Sequence, residues 1–171
     1  FQLPALKLPG VTLVISPLIA LMKDQVDALK ADGIPAEFIN STLTRAEIAQ
    51  IQAEALRGEI KILYAAPERL TMPEFQHFLE KITVSLIAID ESHCISEWGH
   101  DFRPDYTRVG EFRKLLGNPT TIALTATATP EVQDDIIRQL ELNAEDVAVY
   151  HEGIHRPNLE LRVEDVWDAE E

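Results

Sequence analysis

The chain has 171 residues, of which 46% are hydrophobic and 26% are charged, proportions that fit a single soluble globular domain. Its 15 basic and 29 acidic residues give a formal net charge of -14, which excludes a generally basic surface for nucleic acid. No apolar run approaches the roughly 20 residues of a membrane span and the lone Cys94 excludes an internal disulfide, so we expect an intracellular protein with no membrane partner.

Strand and helix signals alternate through the first half of the chain. Short β-branched runs predict strands at about 11–16, 36–39 and 60–66. Helices are predicted from Pro17 to about residue 31, and from the capping-box pair Thr44 and Glu47 to near Gly58. This alternation is typical of βαβ units, in which helices join parallel strands.

The same alternation continues through the second half. Further strands are predicted at 84–90, 121–126, 147–151 and 159–166. Helices are predicted from Pro73 to about Glu80, from about Tyr106 to Leu116, and from Pro130 to about Leu140. The whole pattern indicates an α/β fold built on a mostly parallel sheet.

Two adjacent carboxylates follow one predicted buried strand. The run from Val84 to Ile89 has a single polar residue, and Asp90 and Glu91 come directly after it. Ligands of open α/β sheets bind beyond the carboxyl ends of the strands. There an Asp can hold Mg²⁺ on nucleotide phosphates, and a neighbouring Glu can activate water. Solvated acids also close many strands, so the acid pair alone leaves both interpretations open.

A loop rich in aromatic and basic side chains follows the acid pair. It contains Trp98, His100, Phe102, Arg103 and Tyr106. Aromatic rings and Arg planes stack on unpaired bases with about 1–3 kcal/mol per base, irrespective of base identity. The loop therefore predicts contact with single-stranded nucleic acid next to a hydrolytic site. The alternative is that its aromatic rings only pin the loop to the domain.

Five segments together resemble the RecQ family of ATP-dependent DNA helicases. The string DESHCISEWGHDFRPDY resembles helicase motif II and the adjoining aromatic-rich loop of that family, with Ser92 where Ala is usual. The other four strings resemble motifs Ia, Ib and III and the exit from the first motor domain. They are VISPLIALMKDQV at 14–26, YAAPERL at 64–70, LTATAT at 124–129 and HRPNL at 155–159. Their order along the chain is that of the family.

The resemblance implies a fold, a domain organisation and an activity. The fold would be a RecA-like three-layer sandwich, an incomplete P-loop NTPase domain with helices on both faces of the sheet. Residues 1–153 would belong to the lead motor domain, and residues 154–171 would lead toward a second one. The parent protein would be a DEAH-box helicase that unwinds DNA in the 3′ to 5′ direction during recombination and repair. It would lie in the cytoplasm or nucleoid of a bacterium, or in a eukaryotic nucleus.

The resemblance also implies roles for individual residues. Asp90 would hold Mg²⁺ on ATP, Glu91 would activate water, and His93 would relay the state of the nucleotide. The expected contacts to single-stranded and duplex DNA, and the coupling of those contacts to hydrolysis, involve Ser16, Pro17, Lys23, Arg69, Trp98, His100, Phe102, Arg103, Thr125 and Thr127. At Ser16 and Pro17 a strand-to-helix turn offers backbone amides and a hydroxyl to a phosphate. Ordinary turn hydrogen bonding is the alternative for Ser16.

Parts of the family's machinery are not found in these residues. A phosphate-binding loop reads G-x-x-x-x-G-K-[ST], and none of the seven glycines is followed by Lys. In the family, that loop lies just upstream of a segment like the one that opens this chain. The family's second motor domain, which contributes an arginine finger, is also missing. We therefore expect a piece of a helicase that cannot turn over ATP alone. The competing hypothesis is a binding module without catalysis.

A zinc site is the alternative from another class. His93, Cys94, His100 and Asp101 fall within nine residues, and all carry zinc-binding groups. Neither C-x-x-C nor H-E-x-x-H occurs, and adjacent residues rarely point at one ion. The sequence therefore predicts no zinc in this segment.

Overall fold

A parallel five-stranded sheet forms the centre of the molecule, whose computed structural model describes residues 1–151, 158–160 and 162–163. The strands are β1 (Val11–Ile15), β2 (Ala36–Ile39), β3 (Ile62–Ala65), β4 (Val84–Ile89) and β5 (Thr120–Ala123). They lie in the order β2-β3-β1-β4-β5, and every pairing is parallel. The order brings β1 and β4 together at the centre of the sheet, so their carboxyl ends are neighbours.

Six α-helices and four short 3-10 helices accompany the strands in the described part of the chain. The α-helices are α1 (Gln2–Lys7), α2 (Ile19–Ala31), α3 (Arg45–Leu56), α4 (Pro73–Leu79), α5 (Val109–Leu115) and α6 (Pro130–Gln139). The 3-10 helices are Pro67–Thr71, Ser92–Ile95, Pro104–Arg108 and Ala144–Asp146. None of these elements is long and apolar enough to span a membrane.

Successive residues of the central strands enter different hydrophobic clusters. In β1, Leu13 and Ile15 pack into the larger cluster, whereas Val14 packs into the smaller one. Helices α3, α4, α5 and α6 contribute to the larger cluster, and α1 and α2 contribute to the smaller one. Strand side chains alternate between the faces of a sheet, so these clusters are its two covered faces. The predicted three-layer sandwich is confirmed.

Local signals in the sequence correspond to the observed ends of several elements. Thr44 and Glu47 form the predicted capping box at the start of α3. Thr129 accepts a hydrogen bond from the backbone N–H of Val132 at the start of α6. Gly10 precedes β1 with a φ of +70°, and an added Cβ would lie 2.3 Å from the carbonyl oxygen of Thr83. A side chain at this position would therefore push β1 away from the turn that precedes β4.

Other predicted boundaries differ from the structure. Helix α2 begins at Ile19 rather than Pro17, because the backbone of Leu18 is still extended. The helix predicted from Tyr106 divides into the 3-10 helix Pro104–Arg108 and α5. Strand β5 ends at Ala123, three residues before the predicted end. Helix α1 was missed because its six residues include Pro4 and show no clear periodicity.

The strand predicted at 147–151 is wrong. These residues adopt no strand, and Val149 and Tyr150 are largely exposed. An extended apolar run becomes a strand only where a neighbouring strand pairs with it. Of the segment predicted as a strand at 159–166, the four described residues are not in a strand, and the other four lie outside the described residues. Most of the expected exit segment at 154–171 lies outside them as well.

Candidate active site

The acid pair lies where the carboxyl ends of β1 and β4 meet. The backbone N–H of Asp90 donates to the carbonyl of Ile15 at 2.8 Å, which continues the pairing of the two strands. The hydroxyl of Ser16 donates to Oδ2 of Asp90 at 3.3 Å, and the N–H of Glu91 donates to its Oδ1 at 3.1 Å. Both carboxylate oxygens of Asp90 therefore have a donor that fixes their orientation. The position of the pair at the rim of the sheet agrees with the sequence prediction.

Glu91 has an unusual backbone conformation. Its φ of +47° and ψ of +45° place it in the left-handed region, which costs a non-glycine residue about 1–2 kcal/mol. Strain of this kind often accompanies functional positions. At Glu91 the chain leaves β4 and enters the 3-10 helix Ser92–Ile95. The side chain of Glu91 remains 35% exposed, so water can reach its carboxylate.

His93 connects the acid pair to the segment after β5. Its Nδ1 lies 3.0 Å from Oγ1 of Thr125 and 3.3 Å from Oε2 of Glu91. Burial, followed by the nearby His100, lowers the pKa of His93, while Glu91 acts in the opposite direction. The imidazole is therefore neutral at neutral pH. Its Nδ1 carries at most one hydrogen, so it can donate to only one of the two neighbours at a time. The contact with Glu91 is thus a hydrogen-bonding option rather than an ion pair.

The segment after β5 is tied to the same edge of the sheet. The N–H of Ser92 donates to the carbonyl of Leu124 at 2.8 Å. Thr125, which contacts His93, also accepts the N–H of Thr127 at 3.2 Å. Of the two threonines expected to couple DNA contact to hydrolysis, Thr125 contacts His93. Thr127 is exposed.

The aromatic residues of the loop divide into an anchored ring and two accessible ones. Tyr106 is fully buried, and its hydroxyl donates to the carbonyl of Asp90 at 3.1 Å. Burial raises the pKa of this phenol. Trp98 is 76% exposed and Phe102 is 36% exposed. The alternative interpretation of aromatic residues as pins therefore applies to Tyr106, whereas Trp98 is open to a partner.

Arg103 ties the loop together and to the turn after β1. Its Nε and Nη2 donate to Oδ2 of Asp101 at 3.2 and 2.9 Å, and its Nη1 lies 3.5 Å from the carbonyl of Pro17. The guanidinium lowers the pKa of Asp101. The ring of His100 stacks on His93, with a centroid distance of 4.3 Å and an angle of 19° between the planes. Arg103 thus links the loop to the turn after β1, and His100 links it to His93.

Three predicted DNA contacts have partners inside the chain. The hydroxyl of Ser16 is buried and donates to Asp90, and its contact with a DNA phosphate stays a prediction. Arg69 donates to the carbonyl of Asn40, which joins the 3-10 helix Pro67–Thr71 to the end of β2. Lys23 is exposed and pairs with Asp27 at 2.5 Å, a contact that raises the pKa of Lys23. Ser16 is therefore a support for Asp90, a role that sequence spacing could not show.

The structure also changes the argument about zinc. Ligand atoms of His93, Cys94 and Asp101 lie within 4.8 Å of one another. His93 and Cys94 share a 3-10 turn, and the loop brings Asp101 back to Cys94. The three groups thus lie closer together than the sequence spacing indicated. However, burial, followed by the nearby Asp101, raises the pKa of Cys94 to about 11, which disfavours the thiolate that binds zinc. The guanidinium of Arg103 already donates to the carboxylate of Asp101. The absence of zinc stays a prediction.

Comparison with known proteins gives three findings. Residues 1–136 match the family model described as DEAD/DEAH box helicase. A Bacillus subtilis protein named ATP-dependent DNA helicase RecQ is 52% identical over 164 residues, which are 95% of this chain and 27% of that protein. A Pasteurella multocida protein of the same name is 47% identical over 159 residues, 93% of this chain and 25% of that protein. This chain thus spans about a quarter of the length of these relatives.

A solved structure supports the fold. The helicase domain of Pyrococcus furiosus Hef superposes with a TM-score of 0.56 over 82% of this chain and 29% of that one. The sequence identity is 21%, so this likeness concerns the fold alone. It agrees with the RecA-like arrangement of sheet and helices.

Proposed function

Because this chain belongs to the DEAD/DEAH box helicase family, we propose that it is part of the lead motor domain of a RecQ-type helicase. The complete protein would couple ATP hydrolysis to 3′ to 5′ unwinding of DNA in recombination and repair. Its partners would be single-stranded and duplex DNA and the second RecA-like domain of the same protein. It would act in the cytoplasm or nucleoid of a bacterium, or in the nucleus of a eukaryote.

One observation carries the proposal: Asp90 and Glu91 stand together at the rim where β1 and β4 end. Carboxylate oxygens are the hard ligands that Mg²⁺ prefers, and Asp90 is held in orientation by Ser16 and by the N–H of Glu91. The residues present thus fit Mg²⁺, which Asp90 would hold on the phosphates of ATP through water. When bound, MgATP supplies the phosphoryl group that is transferred to water.

The residues around the pair have separate roles in this proposal. Glu91 orients the attacking water and accepts its proton, since its carboxylate is partly exposed. The neutral His93 switches its Nδ1 hydrogen bond between Glu91 and Thr125, so a change at Glu91 alters the contact with Thr125. Trp98 and Phe102, whose rings are exposed in the same loop, stack on unpaired bases.

The charge of the molecule limits how tightly this chain binds DNA by itself. The net charge is -14, and Lys23, Arg69 and Arg103 all donate to acceptors within the chain. DNA affinity arises largely from Lys and Arg that neutralise phosphates. We therefore propose that other parts of the complete protein supply most of the affinity, and that this chain supplies the contact that is coupled to hydrolysis.

The test is Glu91→Gln in the complete protein. The amide keeps the shape of the side chain but cannot accept a proton, so we expect ATP to bind nearly normally while its hydrolysis falls by about 10²- to 10⁴-fold. ATP binding is measured by titration with a fluorescent analogue, and hydrolysis by phosphate release with and without single-stranded DNA.

Glu97→Gln is the matched control, because Glu97 is an exposed acid in the same loop. We expect it to hydrolyse ATP at the rate of the unmodified protein. Hydrolysis that survives in Glu91→Gln would remove Glu91 from the proposed role. A complete protein that binds DNA but never hydrolyses ATP would favour a binding module instead.

A further inference from the structure

A buried hydrogen bond joins α6 to the start of the aromatic loop. The hydroxyl of Ser96 donates to Oδ2 of Asp135 at 2.6 Å, and the two residues are 0% and 3% exposed. Hydrogen bonds to a carboxylate are shorter and stronger than those between neutral groups. This bond connects residues 39 positions apart in the sequence, so it is a contact between two separate elements rather than a local turn.

Ser96 in turn supports the backbone beneath Trp98. Its Oγ accepts the N–H of Trp98 at 3.2 Å, and its carbonyl accepts the N–H of Gly99 at 2.9 Å. An added Cβ at Gly99 would lie 2.4 Å from the carbonyl oxygen of His93 and 3.0 Å from that of Ser96. The turn that carries the indole therefore closes tightly over Ser96 and His93.

Helix α6 forms the other side of the space next to the indole. A groove of about 560 Å³ is lined by Trp98, Thr129, Glu131, Asp134, Asp135 and Arg138. The second carboxylate oxygen of Asp135 pairs with Arg138, whose side chain is largely exposed. Asp135 is therefore the buried group through which α6 holds the loop.

Two routes from Trp98 converge on His93. Along the loop, the N–H of Ser96 donates to the carbonyl of His93 at 3.2 Å. Through α6, the route runs from Asp135 back to the start of the helix at Pro130, which follows the segment carrying Thr125. The Trp98 turn is thus connected to the surroundings of His93 both along the loop and through α6.

We propose that Asp135 is a positioning residue for DNA-stimulated hydrolysis: by holding Ser96 it sets the Trp98 turn and joins it to α6. This inference rests on the proposed function and adds a residue that lies outside the helicase motifs. Asp135 touches neither nucleotide nor DNA in this proposal. Asp135 keeps the indole of Trp98 in one position. Contact of the indole with a DNA base then changes the arrangement of His93 and the acid pair.

The test uses Ser96→Ala and Asp135→Ala in the complete protein. For each, we expect the concentration of single-stranded DNA that gives half-maximal ATPase stimulation to rise by about tenfold, the size expected for losing a bond to a buried charge. The rate without DNA should fall much less. In the double variant the rise should be no larger than in the more severe single variant, because both substitutions remove the same bond.

Asp134→Asn is the matched control, since Asp134 lines the same groove but is exposed. We expect its half-maximal DNA concentration to equal that of the unmodified protein. An equal shift in this control, or an equal loss with and without DNA in the Ser96 and Asp135 variants, would overturn the positioning role. If the unmodified protein showed no stimulation by DNA at all, the proposed function itself would fail, and this inference with it.

A second measurement on this chain does not depend on ATP hydrolysis. With Trp167→Phe as background, Trp98 is the only indole. Its fluorescence anisotropy should fall in Ser96→Ala and Asp135→Ala, because the turn gains freedom, and should stay constant in Asp134→Asn. Ser96→Ala removes one oxygen and keeps the pair between Asp135 and Arg138, so it is the milder variant if Asp135→Ala folds poorly. Unchanged anisotropy in a folded Ser96→Ala chain would contradict the proposal.

Discussion

The segment that follows β4 has a buried part that is hydrogen-bonded to the rest of the chain and a part that exposes aromatic rings. Its base, which we define as Ser92–Ile95 together with Tyr106, is buried and tied to β4 and to the segment after β5. Its tip, residues 97–102, carries the exposed rings of Trp98 and Phe102. The base thus derives its conformation from bonds within the chain, and the tip leaves the rings of Trp98 and Phe102 available. A loop built in this way can respond to a ligand at the tip without losing the geometry of the acid pair.

The largest effect expected from this contrast concerns stability. Tyr106→Ala empties a fully buried site and removes the bond to Asp90, so we expect the free energy of unfolding to fall by about 3–5 kcal/mol. Trp98→Ala should change it by less than about 0.5 kcal/mol, as is usual for exposed positions. Urea unfolding of the chain followed by circular dichroism measures both values. Similar losses in the two variants would remove the distinction between base and tip.

The second effect concerns DNA. In the complete protein, Trp98→Ala should lose stimulation by single-stranded DNA far more than it loses hydrolysis without DNA. Stacking on one base contributes about 1–3 kcal/mol, which corresponds to a rise of roughly 5- to 150-fold in the DNA concentration for half-maximal rate. Phosphate release over a DNA titration provides the measurement. Equal losses in both rates would show that Trp98 is a packing residue of the base rather than a sensor at the tip.

A smaller effect is expected at Ser16, which supports the acid pair from β1. Ser16→Ala removes the donor to Oδ2 of Asp90, so we expect ATP hydrolysis to fall by about three- to tenfold while DNA affinity is retained. The control is Ser85→Ala, because Ser85 lies near the opposite end of β4 and donates to the carbonyl of Pro9. If DNA affinity fell instead of hydrolysis, Ser16 would be the phosphate contact that its position in motif Ia first indicated.

The smallest expected effect is a pH dependence of the free energy of unfolding that arises from His93. Burial lowers the pKa of His93 in the folded state below its ordinary value of 6.5, so the unfolded chain binds more protons in the window just below pH 6.5. The stabilising contribution of the neutral ring is therefore complete above about pH 6.5 and declines as the pH falls toward the folded pKa.

Urea unfolding at several pH values from about 7.5 to 5 should show this decline in the unmodified chain and a weaker one in His93→Gln. His77→Gln, at an exposed histidine, should retain the full decline. If His93→Gln shows the same pH dependence as the unmodified chain, the burial of this ring has no energetic consequence.

Local patterns predicted well what depends on local chemistry. The apolar runs at β1, β3 and β4, the capping box at Thr44 and the acid pair after β4 all follow from residue order and short-range spacing. The motif strings indicated the RecQ-type resemblance that the two relatives confirm. These features were predictable because a strand, a helix cap or a motif is defined within a few consecutive residues.

Positions that depend on distant residues were not predictable in this way. The strand expected at 147–151 was wrong, since nothing in its own residues shows whether another strand pairs with it. The outcome was decided by neighbours that the local sequence does not specify.

The amino-acid sequence by itself determined the alternation of strands and helices and the placement of two acids at the end of a buried strand. Only the tertiary structure decided that Ser16 supports Asp90, that Tyr106 is the anchored ring and that Asp135 holds Ser96. The contact of Ser16 with Asp90 forms because β1 lies beside β4, and that of Asp135 with Ser96 forms because α6 packs against the loop. The contact of Tyr106 with Asp90 forms because the segment after β4 folds back on the end of that strand. Sheet order and helix packing are properties of the whole core, and no single segment encodes them.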